Sequence, residues 1–91
     1  MNIYLITFQM DDDRDSVMIN CIKEFGHWAR ITSTTWCIKA ADKTTAEIRD
    51  SINAKCPLRS TERLVVFNIT SSPWGSYNLS KEVADWLKNN K

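Results

Sequence analysis

The sequence predicts one α+β domain in which two helices cover one face of a four-stranded sheet and a further helix ends the chain. Three observations lead there. Runs dense in strand formers open and close the main body, and the stretches between them carry apolar residues at helical spacing. The 91 residues suffice for a single small domain, 1–91. Hydrophobic residues make up 43% and charged residues 25%, which places the chain among folded domains and not disordered tails.

The first run, Ile3 to Phe8, is apolar at nearly every position, as a strand covered on both faces should be, so it belongs at the centre of the sheet. From Asp15 the period changes. Val17, Met18, Cys21, Ile22 and Phe25 recur three and four apart, and Gly26 stands where a helix stops. Residues 27–40 fit two short strands joined near Ser33, with Trp36, Ile38 and Ala40 alternating against Thr35, Cys37 and Lys39. Thr44 followed three residues later by Glu47 forms a capping box, Ile48 and Ile52 lie one turn apart, and Cys56 with Pro57 ends this second helix. Residues 63–70 give another strand, apolar on both faces at Leu64, Val65, Val66, Phe67 and Ile69, before Ser71, Ser72, Pro73 and Gly75 break the pattern. Ser80 then caps a helix with Val83, Trp86 and Leu87 on one face and Lys81 four residues before Asp85 on another.

Right-handed crossovers put both inner helices on one side of the sheet, which makes the prediction a ferredoxin-like βαββαβ sandwich with an additional C-terminal helix. The opposite face then needs a cover. The last helix or a second copy of the chain would supply it.

A net charge of +1 excludes a strong field that would gather nucleic acid or an anionic membrane from a distance. Cations are concentrated after Phe25, so a basic surface has to be assembled in three dimensions from Arg30, Lys39, Lys55, Arg59 and Arg63. Cys21, Cys37 and Cys56 are odd in number and form no Cys-x-x-Cys pair, which points to reduced thiols and a cytoplasmic location. The first residues have no basic region before their apolar stretch, and Thr7 and Gln9 interrupt it, so neither a secretion signal nor a membrane segment is expected.

Several segments carry a resemblance. Residues 33–40 (STTWCIKA), 44–52 (TTAEIRDSI) and 62–70 (ERLVVFNIT), Pro73-Trp74-Gly75 and Ala84-Asp85-Trp86-Leu87-Lys88 resemble a family of small bacterial proteins labelled SinR-like. Ile22 to Trp28 resembles the same family's helix end and aromatic strand start, so the likeness covers nearly the whole chain. That family is similar in turn to Cas-two, the small ferredoxin-like nuclease of CRISPR adaptation. The resemblance implies a homodimer, contact with nucleic acid and, in some members, metal-dependent phosphodiester cleavage by an aspartate at the end of the first strand. In this sequence the matching position is Gln9, whose amide offers an oxygen without the negative charge that concentrates Mg²⁺ or Mn²⁺.

Asp11, Asp12 and Asp13 follow Gln9 directly. Aspartates at the start of a helix are expected to cap its free amides, to meet its positive end or simply to solvate the loop, and their charge also discourages unwanted association. A displaced metal site would instead draw on Gln9, Asp11, Asp12 and Asp13, with Asp11, Asp12 and the only histidine, His27, as candidate catalytic residues. One histidine and scattered cysteines give no zinc site, and two glycines give no phosphate loop. All four tryptophans have the chemistry to stack on bases, with Arg30 and Lys39 on neighbouring strands to hold phosphate, but Trp36, Trp74 and Trp86 are expected to pack instead, and Trp28 to do so less firmly.

The expectation is a Cas-two-like dimeric module that binds nucleic acid or a protein without catalysis and without a cofactor. The alternatives are an endoribonuclease that uses Mg²⁺ or Mn²⁺ and a toxin-antitoxin or phage-host interaction protein.

Overall fold

Seven elements form in the predicted order. In the computed structural model, which describes every residue from Met1 to Lys91, they are β1 (Asn2–Gln9), α1 (Asp15–Lys23), β2 (Trp28–Thr32), β3 (Thr35–Ala40), α2 (Thr45–Lys55), β4 (Arg63–Asn68) and α3 (Lys81–Asn90). The strands make one antiparallel sheet in the order β2-β3-β1-β4. Because β1 and β2 both run against β3, they are parallel to each other with β3 between them, and α1 is the crossover that joins them. β3 and β4 stand in the same relation around β1, joined through α2. This is the ferredoxin-like sandwich with a C-terminal helix added.

Strand alternation divides the side chains between two faces. Tyr4, Ile6 and Phe8 point toward the helices; Tyr4 pairs with Ile38 of β3, while Ile6 lies between Trp36 of β3 and Val66 of β4. Met18, Cys21 and Ile22 from α1 and Ile48 and Ile52 from α2 close over them in one buried cluster. Each large side chain so buried contributes roughly 1.5–3 kcal/mol, so this layer dominates the stability. The Tyr4 hydroxyl is satisfied by the Lys43 backbone: it donates to the Lys43 carbonyl and accepts from the Lys43 amide.

The ends of the helices follow local chemistry. The Thr44–Glu47 capping box is complete, with the Glu47 amide on the Thr44 hydroxyl at 3.0 Å and the Thr44 amide on the Glu47 carboxylate at 2.9 Å. Ser80 accepts from the Val83 amide at 3.3 Å, and Lys81 pairs with Asp85 at 3.2 Å. At the end of α1, Gly26 adopts φ +89°, a conformation that favours glycine, and turns the chain toward β2. The last strand stops at Asn68, two residues short of its apolar pattern, because the Asn68 side chain accepts from both the Thr70 amide and the Thr70 hydroxyl and bends the chain there.

The second face of the sheet is covered in part. Leu87 of α3 is buried, and it lines a cleft of about 210 Å³ with Leu5, Ile31, Cys37 and Trp74. Two lysines tie the helix down: Lys39 Nζ donates to Asn90 Oδ1 at 3.3 Å, and Lys91 Nζ donates to the Ile69 carbonyl. On the same face Val65 and Phe67 of β4 remain 45% and 50% exposed, and β4 is an edge strand. No helix is long and apolar enough to cross a membrane.

Ile6 lies at the centre of the buried layer, so Ile6→Ala is expected to lower unfolding free energy by about 2–5 kcal/mol. Thr44→Ala removes only the cap and should cost about 1 kcal/mol. Urea unfolding followed by circular dichroism measures both.

Candidate functional site

The strand end that carries Gln9 is built around a buried carboxylate. Glu62 sits just before β4 with its side chain out of solvent, and it accepts four hydrogen bonds. Arg14 donates through Nε at 2.7 Å and Nη2 at 3.1 Å, and the amides of Asp11 and Arg59 donate at 3.1 and 2.8 Å. Arg14 Nη2 also reaches the Pro57 carbonyl at 3.0 Å. The side-chain bond to Arg14 is the largest cause holding the Glu62 carboxyl at about 2, with the two backbone amides adding to it against the effect of burial. In return Glu62 raises the Arg14 guanidinium above its ordinary range. This clamp ties the β1–α1 loop to the α2–β4 loop.

The clamp decides what the aspartates do. Asp11 accepts from the Thr61 hydroxyl at 2.9 and 2.8 Å and lies 3.7 Å from Arg59 Nη1. Asp12 and Asp13 are exposed and make no side-chain hydrogen bond or ion pair, and Asp13 takes a left-handed φ of +66°. The expectation that these aspartates cap α1 is therefore corrected. Arg14 is the capping residue, in a helical conformation and without a side-chain cap, because the turn closed by the Arg14 amide on the Asp11 carbonyl leads directly into the helix. Asp15 supplies the negative charge in the first turn.

Gln9 faces an open groove of about 500 Å³ lined also by Thr7, Asp15, Thr34, Arg63 and Val65. It pairs across the strands with Arg63, so this strand end presents an amide beside a cation. The carboxylate on the wall of this groove is Asp15, which the sequence pattern had assigned to the helix alone. One carboxylate, one amide and a guanidinium do not fit a Mg²⁺ or Mn²⁺ site, and nowhere do three His, Cys, Asp or Glu side chains converge. His27 lies exposed in the turn before β2, where its carbonyl accepts from the Lys39 amide at 3.0 Å; its ring makes no hydrogen bond.

The predicted basic residues are dispersed. Lys55 pairs with Glu24 at 3.1 Å, Arg59 with Asp11, and Lys39 with Asn90 beneath α3. Arg63 lines the Gln9 groove. Arg30 is on β2 with its guanidinium carbon 5.3 Å from the Trp36 ring, in a cluster that the spacing of residues did not reveal. There Trp28 and Trp36 lie with ring centroids 5.2 Å apart, and Lys23 Nζ stands 5.1 and 5.9 Å from the two rings. Trp36 is buried as predicted, and its indole N–H has no partner.

Cys21, Cys37 and Cys56 are free and buried. Burial pushes the Cys37 thiol up to about 11 and raises Cys21, which keeps both in the unreactive protonated form.

No protein-family model matches this sequence, and no curated protein matches it. The fold and these two places, the Gln9 groove and the β2 cluster, are what the chain offers for function.

Since the folded state lowers the Glu62 carboxyl from about 4.5 to about 2, its contribution to stability is complete above the unfolded value and disappears as pH falls through the folded one. Thermal unfolding between pH 6 and 2 is expected to show this loss mainly below about pH 4.5. Glu62→Gln should lower the melting temperature at neutral pH and flatten that part of the profile.

Proposed function

We propose that this chain is a non-catalytic, Cas-two-like module that dimerises and binds nucleic acid. One observation carries the dimer: β4 is an edge strand whose outward face presents Val65 and Phe67 half-exposed beside the region that α3 leaves open. Two β4 edges meeting around a two-fold axis would extend the sheet and bring the two apolar strips side by side, which relieves an edge that otherwise invites uncontrolled pairing. The non-catalytic part rests on Gln9 and on the engagement of Asp11 with Thr61 and Arg59, which takes the nearest aspartate away from the strand end. Nucleic acid is favoured over a protein partner by Arg63 in the groove and by the cations held on the β2 cluster.

Sedimentation velocity over a wide concentration range is expected to show a dimer that Phe67→Asp converts to monomer, while circular dichroism stays unchanged. A wild-type chain that remains monomeric at every concentration would remove the dimer from the proposal. Incubation with single-stranded RNA and Mn²⁺ should leave the RNA intact. Cleavage that Asp15→Asn or Asp11→Asn abolishes would replace the proposal with a metal-dependent endoribonuclease.

A further inference from the structure

The cluster at the β2 edge has features that packing alone does not require. Trp28 stays 37% exposed on the edge strand β2. Its ring leans on Trp36 at an interplanar angle of 54° and remains partly accessible. Lys23 and Arg30 lie over these indoles, and neither has a carboxylate within ion-pair distance, whereas Lys55, Arg59 and Lys81 all do. Contact with an aromatic face orients a cation without using its N–H donors, so both side chains retain donors for an incoming anion. Beside them a groove of about 370 Å³ runs between Trp28 and Arg30 on one wall and Ser80, Val83 and Trp86 at the start of α3 on the other. Trp28, Arg30 and Trp86 thus border one groove.

From this arrangement we infer that the β2 edge binds single-stranded nucleic acid, with bases stacked on Trp28 and in the groove toward Trp86 and with phosphates on Lys23 and Arg30. The inference rests on the nucleic-acid reading above and gives it a surface. A single strand is specified because flat indole faces engage unstacked bases, which a duplex keeps inside its stack. The net charge of +1 also gives little of the sequence-independent attraction on which duplex binding depends. Glu82 lies on the α3 wall of the groove. Its carboxylate repels phosphate from that side, so the backbone follows the Lys23–Arg30 side and the bases point across toward α3. An acidic peptide would pair with the cations but would gain nothing from the open indole.

Fluorescence anisotropy with labelled oligouridylate and oligothymidylate, titrated over a range of salt concentrations, tests this. Wild type is expected to bind both, more weakly as salt rises. Trp28→Ala should lose about tenfold or more in affinity, and Trp28→Phe should keep most of it because stacking survives. The Lys23→Ala/Arg30→Ala pair, which touches only exposed side chains, should flatten the plot of log affinity against log salt by about 1.4, roughly 0.7 for each cation removed. Arg49→Ala, which removes a cation paired to Asp50 on α2, serves as the control and should change neither. Binding that all these variants share with wild type would overturn this surface while leaving nucleic acid as the partner. Absence of binding by wild type even at low salt would overturn both. Melting curves for each variant establish that affinity losses are not losses of fold.

Discussion

Glu62 is the one charged side chain that this fold takes out of water, and the end of the sheet that carries Gln9 is arranged around it. A buried carboxylate is tolerable only when its lone pairs are used, and here two guanidinium donors and two backbone amides use them. The amides come from Asp11 and Arg59, so the same four bonds fix both loops that flank the end of β1. Everything the groove displays, from the exposed Gln9 amide to Asp15 and Arg63, is held in place by a contact that takes no part in display.

The sheet itself is asymmetric. One face is closed by α1 and α2 over a continuous apolar layer, and the other is closed by α3 over only part of its width. An apolar strand pattern on both faces of β1 requires two covers, and the chain supplies about one and a half. Where cover is missing, Val65 and Phe67 lie half-exposed on the edge strand β4, and the Trp28 cluster lies on the opposite edge strand, β2. The two surfaces do not compete for the same residues.

Local chemistry made most of the fold legible. The capping box at Thr44, the Ser80 cap, the helix stop at Gly26 and the alternation around Trp36 are interactions among near neighbours, and each element formed where they indicated. What lay hidden is long-range. The Arg14–Glu62 pair spans 48 positions, and nothing in either neighbourhood announces it. The aspartate-rich loop showed the limit most clearly, because carboxylates beside a helix start are equally suited to capping, to solvation and to a distant partner; Asp11 took the last of these with Thr61. The Lys23–Trp28–Trp36–Arg30 cluster escaped notice for a similar reason, since a helix end and two strands converge to make it.

The uncapped start of α1 has a bearing on how the chain reaches this state. A helix of nine residues with no side-chain cap has little tendency to form alone, and the residue before its first turn, Arg14, is held by Glu62 from the far side of the sequence. By contrast α2 carries its own signal at Thr44 and can form early from local contacts. The start of the amino-terminal helix thus depends on a residue supplied by the carboxyl-terminal half of the chain, whereas α2 is closed by residues of its own segment.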